Sequence, residues 1–100
     1  MAHKTKAATA ETLAGNRTLS AAEVKQYLVW TFDPTAARDL TLPNAADVPG
    51  EMLIVCNTAD AAEVITIKAD SATVCTPTQN EDAILVSNGT QWRGGVVARS

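Results

Sequence analysis

The chain has one histidine, four aromatic residues and two cysteines in 100 residues, and each scarcity removes a class of function. His3 is the only imidazole and stands at the very start, so no Ser-His-Asp or Cys-His constellation can be assembled and a metal would need carboxylates alone. Asp33, Asp39, Glu51, Asp60, Glu63, Asp70, Glu81 and Asp82 are dispersed over loops and strand ends, which reads as a solvated face and not as a glycosidase-type pair. Gly94-Gly95 lacks the following lysine and helix of a phosphate loop. The sequence reads as non-enzymatic, with no cofactor and no metal.

Basic residues are also few. Eight Lys and Arg face eleven Asp and Glu, a net charge of −3, and they are not clustered as phosphate neutralisation requires. Nucleic acid is therefore not an expected partner. The signs are unevenly placed: residues 1–20 carry a net of +2 and residues 21–100 a net of −5. No apolar run approaches membrane-spanning length, and "MAHKTKAATAETLAG" has no continuous apolar stretch after its basic start, so no membrane partner or signal peptide is expected. The expected site of synthesis is a cytoplasm. There Cys56 and Cys75, each in an apolar strand-like run, read as small buried hydrophobes, with a disulfide between neighbouring strands as the alternative.

What is present is alanine and alternation. Hydrophobic residues make up 46% of the chain, but 18 of them are alanines, and Leu, Ile, Val and Phe together number 21. That core is thin enough to favour help from neighbours, so a homo-oligomer or docking onto a larger surface is expected. Residues 1–19, rich in Ala, Thr and Lys without hydrophobic period, read as an extended N-terminal arm, and residues 20–100 as one domain. Ser20 and Glu23 have capping-box spacing, which predicts a short helix over Ala21 to Gln26.

"YLVWTF", residues 27–32, predicts a strand with Leu28, Trp30 and Phe32 on one face and Val29 and Thr31 on the other. "RDLTLP" predicts a short strand with Leu40 and Leu42 on one face, ended by Pro43, and Pro49-Gly50 predicts a turn. "EMLIVCN" has the continuous apolarity of a central strand covered on both faces. "VITIK", "TVC", "DAILVS" and "QWRGGVV" complete the set, and Asn88-Gly89 predicts a type I′ hairpin. Six to seven short strands so spaced predict an all-β fold, a small antiparallel sandwich or barrel, with Trp30, Ile54, Ile65 and Ile84 buried. Trp92, just past the hairpin, is expected to pack over the sandwich edge with its indole N–H near water. The competing reading makes it a sugar-stacking platform, which would need further aromatics and convergent polar groups around it.

Leu42-Pro43, Gly50, Asn57, Ile65-Thr66-Ile67 and Asn88-Gly89-Thr90 with Trp92 follow one another as in a β-domain of tailed-bacteriophage virion proteins. Over residues 37–94 the chain resembles capsid decoration (cement) and head-fibre proteins of that group, with Asn88 where many relatives have Asp. The resemblance implies a virion structural protein, made in the host cytoplasm, that binds the major capsid protein on the outer surface of the head as a homotrimer. In that picture Lys4, Lys6 and Arg17 pair with acidic capsid surface, and Tyr27, Trp30 and Phe32 on the first strand bury between subunits. The other class left open is a receptor- or glycan-binding fibre or tail-tip module.

Overall fold

The computed structural model describes residues 6–98. Nine strands among these residues form two mixed sheets. The strands are β1 (Ala7–Leu13), β2 (Arg17–Thr18), β3 (Tyr27–Pro34), β4 (Arg38–Thr41), β5 (Met52–Asn57), β6 (Ile65–Ala69), β7 (Ala72–Cys75), β8 (Glu81–Ser87) and β9 (Trp92–Ala98). The larger sheet has the order β1-β3-β5-β8-β9 and the smaller β2-β4-β6-β7. A helix, α1 (Ala21–Gln26), follows β2.

The first six strands alternate between the sheets, and each lies parallel to the strand before it in the same sheet. Thr9 pairs with Trp30 and Trp30 with Val55 in one sheet, and Arg17 with Leu40 and Arg38 with Ile65 in the other. An all-antiparallel arrangement is thus corrected. The proline- and glycine-marked turns after "RDLTLP" and before "EMLIVCN" carry the chain from one sheet to the other instead of folding it back on its neighbour. Parallel pairing always needs such a crossover, here supplied by strands of the opposite sheet where many folds use a helix. Only β6 with β7, β5 with β8 and β8 with β9 pair antiparallel.

Residues 7–18, read from sequence as part of an arm, are built into both sheets from Ala7 onward as β1 and β2, with Leu13 and Leu19 buried behind them. β1 is an edge strand with mostly exposed side chains, so it carries no apolar period for sequence to reveal. α1 spans the predicted residues. Ser20 Oγ accepts from the Glu23 N–H and the Glu23 carboxylate accepts from the Ser20 N–H, satisfying two of the donors a helix start leaves open.

A single hydrophobic cluster draws on both sheets. Trp30, Phe32, Leu53, Val55 and Leu85 come from the larger sheet and Leu40, Ile65 and Ile67 from the smaller, while Val24, Leu42 and Val48 close it from the connections. Fully burying each such side chain is worth about 1.5–3 kcal/mol. Trp30 and Ile65 are buried as expected; Ile54 and Ile84 are not. β5 is the middle strand of its sheet, yet it is covered on one face only: Leu53, Val55 and Asn57 point inward, while Ile54 is half-buried and its partner Ile84 is 45% exposed.

The turns differ from expectation too. Asp70 and Ser71, with φ of 52° and 66°, form the two-residue loop between the paired Ala69 and Ala72, the geometry of a type I′ hairpin. Asn88-Gly89 does not. Ser87 pairs with Trp92 across a four-residue loop in which Gly89 alone has positive φ, +90°, and Asn88 Oδ1 accepts from the Thr90 and Gln91 N–H groups at 2.9 Å each. The asparagine side chain takes the role that its own left-handed backbone would have had.

Candidate functional site

Polar side chains that could act on a ligand are largely committed to the protein itself. Arg17, at the start of β2, lies between two carboxylates. Its Nε donates to Glu11 at 2.9 Å and its Nη2 to Glu23 at 2.7 Å, with the guanidinium 5.8 Å from the centre of the Trp30 ring. The capping box fixes Glu23 for this contact, since its position at the third helical residue turns the carboxylate back over β2. Hydrogen bonding from Arg17, then from the Ser20 N–H, holds the Glu23 carboxyl down at about 2. Glu23 and Glu11 in turn raise the pKa of Arg17 further above its ordinary value. Lys6 donates to Glu51 at 3.0 Å and to the Met52 carbonyl at 2.8 Å, tying the start of β1 to β5.

Of the residues expected at a capsid or subunit contact, Lys4 lies outside the described residues. Lys6 and Arg17 are partly exposed but ion-paired within the chain. Tyr27 is half-buried and packs edge-on against Trp30, 5.3 Å between centroids. Trp30 and Phe32 need correction. They stack 5.7 Å apart inside the chain's own core, 2% and 0% exposed, and have no surface left for a neighbouring subunit.

Trp92 is buried, and its indole Nε1 donates to the Pro43 carbonyl at 2.7 Å instead of to water. The ring therefore offers no open stacking face. Two other motif residues have comparable roles. Asn57, buried at the end of β5, donates to the Glu63 and Pro77 carbonyls and accepts from the Ala59 N–H, which fastens three loop segments. Gly50 donates its N–H to the Ser87 carbonyl, and the buried Ser87 Oγ donates to the Ala45 carbonyl. No helix among the described residues is long and apolar enough to cross a membrane, and no group of three His, Cys, Asp or Glu among them is placed to hold a metal. Cys56 and Cys75 are half-buried and not disulfide-bonded, and burial pushes the Cys75 thiol up.

Two surface features remain. An open groove of about 410 Å³ runs between the β7 and β9 edges, lined by residues that include Asp70, Thr73, Val74, Trp92 and Arg93. The second feature is the outer face of the larger sheet, where Met52, Ile84, Val86 and Val97 are all more than a third exposed. Sequence reading missed this face because "MLIV" and "AILV" are apolar at both parities, so alternation could not tell inward from outward. Compared with protein-family models, curated proteins and solved structures, the chain matches none.

Proposed function

We propose that this chain is a non-enzymatic structural protein of a bacteriophage virion, which binds the outer surface of the head as a homo-oligomer and stabilises it. The observation that carries the reading is the use made of the residues behind the resemblance. Pro43, Gly50, Asn57 and Trp92 are joined to distant segments by hydrogen bonds that close the fold, so what resembles the phage β-domain is its framework. A framework signature with its polar groups turned inward suits a brick better than a catalyst.

In this reading the two sheets form a flattened sandwich around their common core. The capsid-facing side is the end where β1 and β2 are both sheet edges, with Lys6 at its start. Edge strands have backbone donors and acceptors open on one side, ready for pairing with a neighbouring chain. The protein would be made in the host cytoplasm and act on the assembled shell.

The test is addition of the purified protein to heads lacking it, prepared from the phage that encodes it. Saturable, stoichiometric density on the outer shell by cryo-electron microscopy, with DNA release moved to higher temperature, is the expected result. Unoccupied heads at saturating protein would overturn it. Specific glycan binding in their place would move the assignment to a receptor-binding module.

A further inference from the structure

We propose that the outer face of the five-stranded sheet is a two-fold interface between two copies of this chain. Strand pairing puts Ile54, Ile84 and Gly95 in one row across β5, β8 and β9. Met52, Val86 and Arg93 form the row on one side of it, and Cys56, Asp82 and Val97 the row on the other. All point away from the core, and Met52, Ile84, Val86 and Val97 are 46%, 45%, 38% and 51% exposed. No lysine stands among these positions, and the one cation is arginine, the composition that protein interfaces favour over ordinary surface.

The occupant follows from charge and size. Arg93 marks one end of the patch and Asp82 the other. A two-fold axis lying across the strands at the Ile54–Ile84 row turns one end onto the other, which carries Arg93 over the edge formed by the partner's Asp82 and the partner's Val97, and does so twice. Gly95 keeps the middle of the face low enough for the central aliphatics to meet. From ordinary strand spacing and rise the three strands that bear these rows measure roughly 14 by 17 Å, on the order of 240 Å² in projection, within a five-stranded face roughly 24 Å wide. That is below the ~800 Å² per partner of a standard interface and fits a weak, reversible dimer. A single self-complementary face closes at two copies, whereas the trimer implied by the resemblance needs two different patches that fit each other.

This inference stands apart from the capsid assignment and is read without capsids. Sedimentation equilibrium of the full chain should give twice the 10.5 kDa chain mass. Ile84→Asp and, separately, Val97→Lys should raise the dissociation constant by about tenfold or more, with the circular dichroism spectrum unchanged. Both positions are solvent-exposed in the single chain, and the second variant decides if the first misfolds. Arg93→Asp should weaken the dimer, and Asp82→Arg in the same chain should restore it. A monomer at every concentration, a trimer, or a dimer indifferent to both face variants would overturn the proposal.

Discussion

The indole of Trp92 and the carbonyl of Pro43 are joined by a 2.7 Å hydrogen bond that ties the first residue of the last strand to the turn after β4. Both groups sit at the boundary between the sheets, so the bond closes the core at one margin. Trp92→Phe keeps most of the ring volume but leaves the carbonyl without this donor, and should cost about 1–3 kcal/mol. Trp92→Ala should cost about 3–5 kcal/mol. Denaturant midpoints at unchanged slope give both values, and equal losses for the two variants would show that the N–H, not the ring, is what matters.

Neighbouring glycines in β9 should respond differently to alanine. A Cβ on Gly94 would run into the Ile84 carbonyl oxygen and lie 2.8 Å from Leu85 Cδ2, while one on Gly95 would meet nothing within 4 Å. Gly94→Ala should therefore destabilise by about 1–3 kcal/mol or more, as overpacking does. In dilute protein, Gly95→Ala should stay within about 0.5 kcal/mol of the parent. Thermal unfolding of the pair separates close backbone approach from a general need for glycine here.

Ser71 occupies a left-handed position that an L-residue enters at a cost, whereas Gly89 already relieves the same cost in its own loop. Ser71→Gly should raise stability by about 1 kcal/mol. Gly89→Val should lower it, because φ of +90° disfavours any β-branched residue and its Cβ would be 3.4 Å from that of Pro49. Chemical denaturation that moves both variants in one direction would contradict this assignment of the turns.

Acid should loosen the contact between α1 and the first two strands. Glu23 has a folded pKa of about 2 against an ordinary value of 4.5, so its contribution is complete above about 4.5 and is lost as pH falls towards 2. Glu81, held down by the Thr78 N–H and hydroxyl, acts in the same direction. Glu23→Gln should be destabilising at pH 7 and converge with the parent near pH 2. Parallel melting-temperature curves from pH 2 to 7 would rule out this coupling.

The alternating faces of β5 and β8 should also be measurable. Leu53→Ala and Leu85→Ala, both fully buried, should cost about 2–5 kcal/mol. Ile84→Ala should cost much less, since nearly half its surface is already in water. Comparable losses at Leu85 and Ile84 in dilute protein would place both faces of the sheet inside the core.

Where local chemistry had one outcome, sequence revealed it: the Ser20–Glu23 box set the helix, and the bulk of Trp30 and Phe32 against Val29 and Thr31 set the buried face of β3. Ile54 and Ile84 were misassigned because their strands are apolar on both faces and only the absence of a covering layer decides which face is outside. Parallel pairing was invisible for a related reason. A proline or glycine marks that the chain turns, not whether it turns back to its neighbour or across to the other sheet. Arg17 was legible as a charge but not as an ion-paired one, since Glu11 and Glu23 reach it only once β1, β2 and α1 are assembled.

The strand order also bears on how the chain folds as it leaves the ribosome. β1 and β2 are made first, but their partners β3 and β4 come after the helix, and those strands in turn wait for β5 and β6. Only the β6–β7 and β8–β9 hairpins join strands that are immediate neighbours in the sequence, and both belong to the second half of the chain. Loop closure in parallel pairs must be met before their contacts stabilise it, which makes such pairing slow. The earlier-made strands therefore wait with their sheet edges open, and chaperone protection during synthesis matters more for β1 to β4 than for the strands that follow them.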